Sequence, residues 1–70
     1  MSALIRLSRR IRKLRKRRRL TQQELADKIG VDGSAVAHWE AAKTWPRAEV
    51  LPKLAGALDS TVGELFGEAA

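Results

Sequence analysis

The twenty residues from Thr21 to Glu40 constrain this chain more than any other stretch, because several independent steric demands are met there at fixed spacing. Leu25 and Ile29 are four apart and share one helical face; Val36 and Trp39, three apart, share a face of a second segment. Ala26 lies beside the first face, where a larger side chain would hold the second helix away. Gly30 stands where the first helix must end in a left-handed residue, a conformation that glycine adopts cheaply. Val31 then turns inward, and the Asp32 carboxylate can cap the orphan amides of the next helix. The pattern predicts two short helices pressed together at a glycine turn.

Seventy residues allow one domain with one small core, and the absence of cysteine removes disulfides and thiolate metal sites as reinforcement. With a single histidine, no zinc site is expected; no cofactor is implied either. No apolar run approaches the roughly 20 residues of a membrane span. The start, Met1 to Leu7, lacks the apolar core of a secretory signal, so a cytoplasmic protein is expected. Charge is divided unevenly. Residues 1–20 hold ten of the fourteen basic side chains and no acidic one, whereas residues 21–70 hold four basic and eight acidic ones. A block this dense, nine of the eleven residues from Arg9 to Arg19, attracts polyanions and makes binding salt-dependent. Leu4, Leu7, Ile11 and Leu14 run through it at 3-4-3 spacing, which predicts an amphipathic helix rather than a solvated tail.

In chain order, the first helix is expected from about Leu4 to Arg18, and Leu20 tucks into the core after it. Thr21 caps a second helix, Gln22 to Ile29, with Glu24 completing a capping box. A third helix covers Gly33 to Ala41, and a loop follows from Ala42 to Arg47. The fourth helix starts near Ala48 or Glu49, early enough to tolerate Pro52, and presents Val50, Leu51, Leu54, Ala55 and Leu58. Thr61 caps a last short helix with Val62, Leu65 and Phe66 on its apolar side, and the tail from Gly67 to Ala70 frays. The chain thus reads as one all-α domain, residues 1–70, with the two-helix unit at 21–41 and an extra basic N-terminal segment at 1–6.

Leu14-Arg15, the run Leu20 to Ala26, Ile29-Gly30-Val31, Val36, Trp39-Glu40, Pro46, Leu54-Ala55, Leu58 and Glu64-Leu65-Phe66 together resemble the Cro/repressor-like helix-turn-helix family, also called XRE-like. The resemblance spans about Leu7 to Phe66 and implies a compact five-helix, lambda-repressor-like domain that binds DNA. It makes the third helix the recognition helix, with Gly33, Ser34, Ala37 and His38 at base edges. Ser34 and His38 can hydrogen-bond there, Ala37 can touch a thymine methyl, and Gly33 lets the backbone come close. Because long bidentate readers are missing from this helix, specificity is expected to lean on DNA shape. Thr21 and Gln22, with Lys43, Thr44 and Arg47, resemble two phosphate clamps, which set register without reading bases. Arg15 and Glu40 match a structural ion pair joining the first helix to the third.

Many relatives have glycine where Arg19 and Ala42 stand, so either those residues are left-handed at a cost of about 1 kcal/mol each, or the turns differ. Trp39 falls at a core position, whereas Trp45, before a proline in a loop, is expected to be partly exposed. Trp45, Val62, Leu65 and Phe66 form the candidate dimer surface. The expected function is a transcriptional regulator, a repressor by preference, that binds double-stranded DNA at a pseudo-palindromic operator as a homodimer. A cognate toxin or polymerase is a further partner under this reading. One alternative is an antitoxin or restriction-modification controller acting on its own operon. The other is an adaptor whose basic first helix docks on acidic protein, RNA or membrane. An enzyme is not expected, since no Ser/His/Asp set or phosphate-cradling loop is present.

Overall fold

The computed structural model describes residues 2–67, all of whose regular elements are helical. Helix α1 is Ala3–Arg17, α2 Gln22–Ile29, α3 Gly33–Glu40, α4 Leu51–Ala57 and α5 Val62–Leu65; a 3₁₀ turn, Ala48–Val50, runs directly into α4. Four of the five starts are capped by a side chain that accepts from a nearby amide: Ser2 from Ile5, Thr21 from Glu24, Asp32 from Ser34, and Thr61 from Glu64. At Thr21 the capping box is complete, because the Glu24 carboxylate accepts in turn from the Thr21 amide at 2.9 Å. Helix α4 instead starts from the 3₁₀ turn, with Pro52 in its first turn, where a missing amide hydrogen costs nothing.

Four helix ends share one solution. After α1, α2, α3 and α4 the chain passes through a left-handed residue, namely Arg19 (φ 57°), Gly30 (φ 76°), Ala42 (φ 59°) and Asp59 (φ 54°). In each case the following amide donates back into the helix: Leu20 to Arg15, Val31 to Ala26, Lys43 to His38 and Ser60 to Ala55. This satisfies carbonyls that the helix end would otherwise leave orphaned. Of these four, α2 alone uses glycine for it; Gly67 (φ 81°), just past α5, is left-handed too. Of the two alternatives open for Arg19 and Ala42, the strained one is realised, and the glycine-type turn geometry is kept.

The core gathers Leu7, Ile11 and Leu14 from α1, Leu25, Ala26 and Ile29 from α2, Val36 and Trp39 from α3, Leu54 and Ala55 from α4, Leu58 just after it, and Leu65 from α5. Each fully buried leucine or isoleucine among them contributes about 1.5–3 kcal/mol relative to exposure. Ala26 is fully buried where α2 and α3 meet, so the absence of a larger side chain sets their approach.

Two expectations need correction. Leu4 is only half-buried, and the inward stripe of α1 continues instead through Ser8, whose hydroxyl donates to the Ile5 carbonyl at 2.7 Å, and Arg15. Leu65 has no exposed surface, because it points from α5 into the core, and so drops out of the candidate dimer surface. The expected fraying of the tail falls mostly on residues 68–70, which lie outside the described residues.

Candidate nucleic-acid interface

Helix α3 crosses α2 with its small residues turned toward it. Gly33 lies against the Gln23 side chain, and Ala37 lines a shallow cleft with Arg12, Arg15, Gln22, Glu40 and Ala41. Both are half-buried, whereas Ser34 and His38, four apart on one face, are exposed. The outward edge of α3 is therefore narrow: two hydrogen-bonding side chains flanked by two positions that offer almost none. Val36 and Trp39, buried on the opposite side, anchor the helix.

The orientation of α3 is held from its far end. The Arg15 guanidinium meets the Glu40 carboxylate with two parallel bonds, Nε to Oε2 at 2.6 Å and Nη2 to Oε1 at 2.9 Å. Its Nη1 donates to the Leu20 carbonyl at 2.7 Å. One side chain thus joins α1, the link before α2 and the end of α3. The hydrogen bond to Glu40 raises the Arg15 pKa above its ordinary value, against the opposing effect of burial. Such planar, two-bonded geometry restricts rotation as well as distance.

Residues expected at a phosphate lie on either side of this edge. At the start of α2 the Thr21 hydroxyl is engaged as cap, and the Gln22 amide donates to Glu40 Oε1 at 3.1 Å. Gln22 is thus tied into the Arg15–Glu40 network, a contact across 18 positions that local pattern does not reveal. The α2 start also presents the orphan amides of its first residues, and the helix dipole makes that end positive. On the other side, Lys43, Thr44 and Arg47 are exposed in the loop after α3. The left-handed Ala42 aims this loop, and the Lys43 amide is anchored to the His38 carbonyl at 2.9 Å.

Several contacts escaped sequence reading. Arg10 Nε donates to the Glu64 carbonyl at 3.1 Å, tying α1 to α5, and Pro46 is buried. Trp45 is 49% exposed and stacks on Phe66 with ring centroids 6.1 Å apart; Val62 is half-buried nearby in the chain. Gln23, placed over Gly33 and bonded to Asp27, carried no expectation, although its four-residue spacing to Asp27 was a readable signal. Among the described residues, no cluster of His, Cys, Asp or Glu could hold a metal ion, and no helix is long and apolar enough to cross a membrane.

A short helix held rigidly by an inter-helix ion pair, with an exposed polar edge and a helix start beside it, defines a DNA-binding domain of the regulatory helix-turn-helix class. The chain belongs to the helix-turn-helix family, whose sequence model matches residues 11–65. Among solved structures it is similar to the DNA-binding domain of the P22 c2 repressor, determined by nuclear magnetic resonance in solution. That similarity has 33% identity and a TM-score of 0.82, and covers 86% of this chain and 79% of the other. No curated protein matches by sequence. The XRE-like resemblance and the five-helix, repressor-like fold are thus established.

Proposed function

We propose that this protein is a sequence-specific transcriptional repressor that binds a two-fold symmetric operator as a homodimer, with α3 of each copy in the major groove. The observation that carries the reading is the exposed Ser34–His38 edge on a helix whose angle is set by the Arg15–Glu40 pair. Ser34 and His38 contact base edges, Ala37 allows contact with a thymine methyl, and Gly33 leaves room at the helix start, into which the Gln23 side chain reaches. Thr21 and Gln22 on one side, and Lys43, Thr44 and Arg47 on the other, contact the phosphate backbone. Gln22 does so with its backbone amide and the second hydrogen of its side-chain amide, since the first is given to Glu40.

Size supports the two-copy reading. The longest extent of the molecule is 27 Å, whereas successive major grooves on one face of the duplex are about 34–36 Å apart. Reading two of them takes two copies. Trp45, Phe66 and Val62 supply the contact between copies, because Trp45 is a large apolar side chain left half in water. Blocking polymerase at such an operator is the simplest route to regulation, with the protein acting in the cytoplasm on chromosomal or phage DNA.

Selection from random duplexes tests the proposal. An inverted repeat with half-sites one helical turn apart is the expected winner. Recovery of no motif, with scrambled DNA bound equally well, would overturn it in favour of an adaptor that uses the basic α1.

A further inference from the structure

Gly33 opens the recognition helix without a side chain, yet the volume that side chain would fill is occupied. A Cβ built on Gly33 would collide with the Gln23 carboxamide oxygen, and it would come within 3.0 Å of Gln23 Cδ and 3.5 Å of its Nε2. Gln23 is exposed, on α2, ten positions earlier. Its Nε2 donates to Asp27 Oδ1 at 2.8 Å, one helical turn further along α2. The carboxamide is therefore held at the first turn of α3, beside Ser34, rather than left to wander in solvent.

We infer that Gln23 is a base-reading residue: its carboxamide takes the place of the absent residue-33 side chain and recognises an adenine in the major groove, with Asp27 as its positioning partner. The inference rests on the reading of α3 as the recognition helix and extends it to a residue on α2. A glutamine amide pairs with adenine by accepting from N6 and donating to N7. Oriented by Asp27, Gln23 keeps both functions, since Oε1 accepts no hydrogen bond among the described residues and Nε2 has a second hydrogen. The neighbouring Asp27 carboxylate also disfavours a phosphate at the same spot, because a second anion there would face it at short range. A recognition helix whose own outward edge holds only Ser34 and His38 thereby gains the bidentate reader it lacks. Glycine at 33 is what makes room for it.

Random-duplex selection on four proteins tests this: the natural chain, Gln23→Ala, Gly33→Ala and the double variant, each first shown by thermal melting to be folded. The expected result is an adenine preference at one position of each half-site in the natural chain. Gln23→Ala should reduce that preference roughly tenfold or more while leaving the other positions intact. Gly33→Ala, whose new methyl displaces the carboxamide, should lose the same preference, and it should add nothing in the Gln23→Ala background. If Gln23→Ala retains the full motif, weakens all sequences alike, or loses a different position from Gly33→Ala, the inference is overturned while the DNA-binding reading stands. If the natural chain selects no motif, that reading itself falls.

Discussion

Under the proposed function, helices α1 and α3 serve a polyanion in opposite ways. Helix α1 and the residues just after it, up to Leu20, carry ten basic side chains; α3 carries none, and the two-helix unit from 21 to 41 holds one lysine against four acidic residues. The proposed reading therefore puts attraction and recognition on different elements. Under that reading the long-range field comes from α1 and from Lys43 and Arg47, and falls off with salt; short-range reading comes from the α3 edge of Ser34 and His38, which carries no Lys, Arg, Asp or Glu and which salt barely touches. The two are joined at Arg15, the one α1 arginine spent inward, at 9% exposure. Nine other basic residues of that block remain outside the core, so the charge count of α1 says little about which member holds the fold.

The largest effect should come from cutting that joint. Arg15→Ala leaves the Glu40 carboxylate without its guanidinium and is expected to cost about 3–5 kcal/mol, read as a lowered denaturant midpoint. Arg12→Ala, on the same helix, should stay within about 0.5 kcal/mol. Equal midpoints for the two would break the contrast between inward and outward charge. Next, His38→Ala should reduce discrimination at one base position by about 1–3 kcal/mol with little change on scrambled DNA, measured by competition binding. Lys43→Ala should do the reverse. It should weaken all sequences alike and lower the slope of log affinity against log salt by about 1. A base-selective loss at Lys43 would merge the two roles that the comparison separates. The smallest effects belong to the turns. Ala42→Gly and Arg19→Gly should each stabilise by up to about 1 kcal/mol by relieving a left-handed residue, seen as raised melting temperatures.

Three helix starts were legible because capping is a local matter: Thr21, Asp32 and Thr61 each satisfy an amide two or three residues ahead. The α2 bounds, the glycine turn and the core of α2 and α3 were readable for the same reason. Strain at Arg19 and Ala42 was legible only against a pattern that has glycine there, and Asp59, which adopts the same conformation, passed unnoticed. Leu65 shows a different limit. An apolar residue at helical spacing looks the same whether it faces the core or a second copy, and only packing assigned it to the core. The candidate interface was half legible: its residue types were visible, but Gln22 bonded to Glu40, Trp45 stacked on Phe66 and Gln23 covering Gly33 join positions 10 to 21 apart. No periodicity encodes such pairs.

Local sequence thus determined where helices begin, how they turn and which faces are apolar, since those outcomes depend on sterics and hydrogen bonds within about one turn. Tertiary structure alone decided that Gln22 joins the Arg15–Glu40 pair, that Leu65 faces the core, and what fills the space at Gly33. These are outcomes of competition among distant side chains for the same volume and the same hydrogen-bond partners, and that competition is resolved only when the helices have packed.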